Sequence, residues 1–218
     1  MKKILSCILL AGAVSTAHGQ QLYLETGKVL SSFHYTNSNG DRDRNLKGTL
    51  QNCFSAGVRM PVLRSPWNVL LGIASNKYSA SESDQTLGNY SEWDASYLGV
   101  NLGAGYEFHK PPMHDIDRNG FSYFVNALVS TEFLISGKQM LNSQVYDLVG
   151  EEEFNKPVFF LKTGAGVNYY ITRRYLVFAE YTFGRSILIG DYSGQEKLFY
   201  LTHCISLGFC ADLAYKGK

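Results

Sequence analysis

VFFLKTGAGVNYYITRRYLVFAEYTFG, residues 158–184, reads as two strands of similar length joined by the short polar turn Ile171-Thr172-Arg173-Arg174. Before the turn, Phe159, Leu161, Thr163, Ala165, Val167 and Tyr169 share one face, and Lys162, Gly164, Gly166 and Asn168 share the other. After it, Tyr175, Val177, Ala179, Tyr181 and Phe183 lie opposite Glu180 and Thr182. Side chains in a strand alternate sides, so a period of two with one apolar face marks a strand with two different surroundings. A water-soluble sandwich buries the apolar face. A membrane barrel turns it to lipid and closes on a polar interior.

The same rhythm recurs along the chain. Strands are expected at Leu22–Tyr35, Leu50–Met60, Trp67–Tyr78, Ala95–Phe108, Phe121–Leu134 and Phe199–Leu213, making eight with the opening pair. The cleanest sets Leu98, Val100, Leu102, Ala104, Tyr106 and Phe108 against Tyr97, Gly99, Asn101, Gly103, Gly105 and Glu107. The first alternates poorly, and a bulge near Gly27–Val29 would repair it. Connections one, three (Ser79–Asp94), five (Ile135–Pro157) and seven are long and polar, and the others are shorter. In the fifth, Leu141, Val145, Leu148 and Val149 have the i, i+4, i+7, i+8 spacing of a short amphipathic helix, a possible contact surface for a partner. Aromatic residues gather near strand ends (Tyr23, Phe33, Tyr35, Trp67, Tyr78, Phe108, Phe121, Phe133, Tyr169, Tyr175, Phe183), where membrane girdles belong.

Met1-Lys2-Lys3, an apolar core from Ile4 to Val14 and the small-residue end Ala17-His18-Gly19 read as a signal peptide over residues 1–19, with a barrel domain over 20–218. Its removal takes Lys2 and Lys3 and no acid, so 18 basic residues face 19 acidic ones. That balance argues against nucleic-acid binding, which needs a basic footprint. No run of eighteen apolar residues is present, so helices do not span a membrane here. Even strand number, long crossing strands, and long loops alternating with short turns form the outer-membrane pattern, with the long loops outside the cell. The expected fold is therefore all-β: an eight-stranded antiparallel up-and-down transmembrane β-barrel.

The segments SYLGVNLGAGYEF, FFLKTGAGVNYYITRRYLVFAEYTFG and HCISLGF carry a resemblance to the small eight-stranded outer-membrane β-barrels of Gram-negative bacteria, the OmpX/OmpA-barrel-like and PorT-like group. The resemblance covers nearly the whole chain after residue 19 and is one of pattern. It implies a location in the cell outer membrane and a monomer among outer-membrane lipid. It carries over no catalytic residue.

An eight-stranded barrel is just wide enough for side chains to fill it. The inward glycines Gly99, Gly103, Gly105, Gly164 and Gly166 would make room for larger neighbours, and Arg59, Glu107, Glu132, Lys162 and Glu180 would point into that space. Buried charges must pair or neutralise, so these five are expected to form an interior network that plugs the barrel. Lys162 is expected diagonal to Glu180, with Glu132 near the same outer end and Arg59 and Glu107 near the inner ends of their strands. The sharper alternative is a narrow proton or ion path.

His34-Tyr35-Thr36-Asn37 resembles the His-x-Ser-Asn stretch of barrel-shaped lipid A deacylases, with Thr in place of Ser and no orienting acid at a recognisable spacing. No metal or cofactor motif is present. Cys53, Cys204 and Cys210 read as three small buried thiols; Cys204 and Cys210 are about 20 Å apart on one strand. His203, on an outward face, is expected at the membrane interface. Asp41-Arg42-Asp43-Arg44, Glu82/Asp84/Glu92/Asp94 and Glu151-Glu152-Glu153 are solvated loop charges, or a surface for a surface or secretion-complex protein. The expected role is structural or binding, not enzymatic, carried by external loops. A membrane-lipid enzyme and a soluble lipocalin-like carrier are the alternatives.

Overall fold

A computed structural model describes residues 20–36, 47–62, 65–84, 89–109, 120–141, 144–150, 156–187 and 197–213. The segment read as a signal peptide, the charged runs 41–44 and 151–153, and Asn37 lie outside the described residues, as do the side chains of His34, Tyr35 and Thr36. Ten strands are present among the described residues: β1 (Gln21–Thr36), β2 (Lys47–Gly48), β3 (Leu50–Pro61), β4 (Trp67–Asp84), β5 (Asn89–Phe108), β6 (Gly120–Leu141), β7 (Gln144–Asp147), β8 (Val158–Tyr170), β9 (Tyr175–Ile187) and β10 (Lys197–Asp212). Eight of them close a ring, β1-β3-β4-β5-β6-β8-β9-β10, every pair antiparallel. β2 edges β4, and β7 edges β6.

Register fixes the shape. From Ser31 the pairing runs through Thr202, Gly184, Lys162, Leu128, Gly103, Leu70 and Arg59, and returns to β1 at Gln21, ten residues lower. Ten residues of shear over eight strands give a strand tilt of about 40° and a bore that side chains can fill. The faces follow the alternation in the sequence. Leu102, Val129, Leu161, Ile205 and Leu207 are exposed on the outside, while Asn68, Asn101, Glu107, Glu132 and Asn168 are buried within. The protein is inside-out relative to a soluble domain, and a bilayer is the solvent that suits it.

The tight turns sit at one end. At the β8–β9 turn, Ile171 and Thr172 N–H groups donate to the Tyr175 carbonyl (3.0 and 3.1 Å), and Thr172 Oγ1 accepts from the N–H groups of Arg174 and Tyr175. The β3–β4 turn closes through Val62 N–H to the Trp67 carbonyl at 2.9 Å.

Four expectations are corrected. β1 has no bulge at Gly27–Val29, because its pairing is unbroken on both sides; Val29 and Phe33 point inward because the interior there is apolar. The helix expected at 141–149 is a strand: β7 pairs with β6 from Leu141↔Gln144 to Lys138↔Asp147. That ladder satisfies the backbone while leaving Val145 and Val149 exposed. Ser79–Asp94 is no open loop but the top of a long hairpin, paired from Ser79↔Asp94 to Asp84↔Asn89. β6 likewise runs to Leu141, with an extra residue, Ile135, opposite the Ser96–Tyr97 step. Finally, Tyr23, Phe33 and Tyr78 are not girdle residues, since all three are buried inside. Trp67, Phe108, Phe121, Phe133 and Tyr175 do stand exposed on the outer surface.

Candidate functional site

The interior is stacked in four levels. Lowest, near the tight turns, Tyr23, Phe124, Tyr170, Leu176, Phe178 and Cys210 pack together. The Arg59 guanidinium carbon lies 5.4 Å from the Phe124 ring centre and 5.5 Å from that of Phe178, in cation–π contact with both rings. Beside it, Glu107 accepts hydrogen bonds from Tyr170 Oη, Ser122 Oγ and, at 3.0 Å, Asn168 Nδ2.

At the second level are two carboxylates. Glu180 Oε1 accepts from Asn126 Nδ2 and Thr182 Oγ1, each at 3.1 Å, and Glu25 accepts from Ser55 Oγ (2.6 Å) and Ser206 Oγ. A cavity of about 90 Å³ opens here, lined also by Arg59, Asn76, Tyr78 and Lys162. It holds room for several waters and no more.

Glu132 commands the third level. It is fully buried, takes Lys162 Nζ at 2.6 Å, and accepts from Asn76 Nδ2 (2.9 Å), Ser130 Oγ (3.2 Å) and Tyr78 Oη (2.8 Å). A carboxylate removed from water needs such a complete set of partners. Above it, Val29, Phe33, Tyr78, Tyr97, Phe160 and Tyr200 close the bore. Tyr78 stands 5.6–5.7 Å from the rings of Tyr97, Phe160 and Tyr200, and the Tyr97 and Tyr200 hydroxyls are 3.3 Å apart.

All five charged residues expected inside are inside: Arg59, Glu107, Glu132, Lys162 and Glu180. Their pairing differs in one respect. Lys162 faces Gly184, and Glu180 faces Gly166, so the amine is too high for Glu180 and reaches Glu132 instead. The inward glycines make the room expected of them, since a Cβ on Gly164 would overlap the Glu180 carboxylate and one on Gly99 would come within 2.9 Å of Glu132 Cγ. Glu25 completes the set but went unrecognised, because the expected bulge blurred which way β1 faces. The Tyr78–Tyr97–Tyr200 cluster was hidden because buried and girdle tyrosines look alike in a sequence.

Of the three thiols expected to be buried, Cys210 is buried, whereas Cys53 and Cys204 are half-buried. Cys53 and Cys204 flank β1 on either side, opposite Gly27 and Val29, and their sulfurs are 3.0 Å apart as free thiols. Of the expected contact surface, Leu141, Val145 and Val149 are exposed, but Leu148 is only 2 % exposed. Its N–H donates to the Gly137 carbonyl at 3.0 Å, and its side chain lies over that glycine. Leu148 anchors the hairpin and is not available to a partner.

The outer surface carries polar exceptions. Lys28 Nζ donates to Asn52 Oδ1 at 2.6 Å, and His203 Nδ1 lies 2.6 Å from Tyr181 Oη. Arg185, on β9, is exposed with them.

A closed eight-stranded meander with an apolar exterior, a filled polar interior and tall hairpins at one end is a small β-barrel of the outer-membrane class, built to reside in the cell outer membrane. No protein-family model matches the chain, and no curated protein matches its sequence. Among solved structures it is similar to OprG, an outer membrane protein of Pseudomonas aeruginosa: 11% identity, 91% of this chain and 98% of that one, TM-score 0.52. It is also similar to Neisserial surface protein A: 11% identity, 88% and 97% coverage, TM-score 0.50. At such identity the likeness is one of fold.

Proposed function

We propose that the protein is a non-conducting, non-catalytic outer-membrane barrel that serves a structural or binding role through its external hairpins. The observation that carries this reading is the β6–β7 hairpin. It projects past the ring with Val145, Tyr146 and Val149 at 61 %, 47 % and 52 % exposure, while buried Leu148 holds its base. Apolar side chains on both faces of a supported, water-facing hairpin suit a protein partner. The filled interior supports the same reading, because a bore packed with Tyr78, Tyr97, Phe160 and Tyr200 leaves the hairpins as the accessible chemistry. The partner is a surface or secretion-complex protein, and the barrel itself is a monomer in lipid.

The test is affinity capture from detergent-solubilised outer membrane, comparing the native chain with Val145→Ser/Tyr146→Ser/Val149→Ser. A partner recovered with the native chain and lost with the variant is the expected result. Recovery of the same proteins by both chains, or of none by either, would rule out this hairpin as the binding element.

A further inference from the structure

Charged side chains facing lipid are costly at mid-bilayer and are tolerated near its edges. Three cationic or basic groups nevertheless face outward on three successive strands, Lys28 on β1, His203 on β10 and Arg185 on β9. Leu30 is opposite His203 and Leu201 is opposite Arg185, so each group lies one diagonal step from the next. With ten residues of shear over eight strands, a line of constant height climbs by a little over one residue per strand, and this diagonal climbs by two, so Arg185 stands about 4 Å higher than Lys28. The three groups therefore form a shallowly rising belt along the barrel. Asn52 continues it on β3 through its hydrogen bond to Lys28, and Tyr181 supports it through His203.

The height is informative. At about 3.3 Å per residue and about 40° of tilt, Lys28 stands about 18 Å above Gln21. Taking Gln21 as the lower edge of an apolar band about 25 Å tall, that is the upper third, on the side of the tall hairpins. A lysine or arginine stem is long enough to reach the headgroups from there. Among the described residues no carboxylate lies within ion-pair distance of Lys28 or Arg185, whereas the outward Lys77 is matched by Asp94 at 2.9 Å.

We propose that Lys28, His203 and Arg185 form a binding site for the phosphate groups of a phosphorylated glycolipid in the outer leaflet of the membrane. Positive charge with no carboxylate beside it among the described residues, hydrogen-bond donors in a row and a lipid-facing location together fit an anionic headgroup whose acyl chains lie against the apolar band below. Outer-leaflet depth selects the glycolipid over phospholipids of the inner leaflet. This site is separate from the β6–β7 hairpin and does not depend on the role given to it.

Native mass spectrometry of the refolded barrel in detergent tests the site, with bis-phosphorylated lipid A, its dephosphorylated form and phosphatidylglycerol as probes. The native chain should retain phosphorylated lipid A at least tenfold better than either other lipid. Lys28→Gln/His203→Gln/Arg185→Gln should lose that preference, while Lys77→Gln should keep it. Equal retention of the phosphorylated and dephosphorylated lipid, or of phosphatidylglycerol, would overturn the proposal on the native chain alone, whether or not the triple variant folds. A folded triple variant that still prefers phosphorylated lipid A would overturn the assignment of residues.

Discussion

Glu132 shows what a single residue must satisfy to be charged inside this barrel. Its two oxygens meet an amine, an amide and two hydroxyls, and Lys162 has Glu132 as its ion-pair partner. Removing one member of such a pair strands the other, whereas removing both does not. Glu132→Ala should therefore lower the unfolding free energy by about 3–5 kcal/mol. Glu132→Gln/Lys162→Met should restore most of that loss, read by urea unfolding in lipid vesicles. Were the double variant as unstable as the single one, the pair would not be what the site depends on. Much of this residue-level pattern was legible in the sequence, because alternation alone places Glu132, Lys162, Glu180, Arg59 and Glu107 inward. Which charge meets which was not, because pairing depends on side-chain reach as well as register. Lys162 crosses to a carboxylate whose backbone partner is Val158, not its own neighbour Leu128.

Strands were legible where they cross lipid and illegible where they leave it. Inside the bilayer one face must be apolar, so β5 betrays itself from Leu98 to Phe108. Above it the apolar rhythm of the sequence stops, and the paired tops of β4 and β5 read as a loop. The same loss of signal let four apolar residues at 141–149 mimic a helix. The lipid-facing part of a strand makes its own demand: cost should depend on depth. Leu102, 57 % exposed and six residues above Phe108 on β5, near mid-bilayer, and Tyr123, 57 % exposed near the lower rim on β6, test it with matched exposure. Leu102→Arg should destabilise the barrel by about 2–4 kcal/mol and Tyr123→Arg by at most about 1 kcal/mol beyond its lost packing. Equal penalties in vesicle unfolding would mean that the bilayer does not sit where the aromatic residues place it.

For the whole molecule, the closed ring and its filling decide what passes. A cavity of about 90 Å³ lies between the cluster of Tyr78, Tyr97, Phe160 and Tyr200 above and Arg59 with Phe124 and Phe178 below. The native chain should give no discrete conductance in planar bilayers. Tyr97→Gly/Tyr200→Gly should admit small ions if that cluster is the upper seal. Discrete openings from the native chain would reverse the reading of the interior as a plug and revive the ion path.

The seam has a last consequence. Leu213 N–H donates to the Gln20 carbonyl at 2.8 Å, so the outermost described residues of β1 and β10 are stitched together at the same rim. The circle thus has no preferred starting point in space. A short tether joining those two positions, with the covalent chain reopened at the tip between β6 and β7, would rewrite the order of synthesis and leave every neighbour in place.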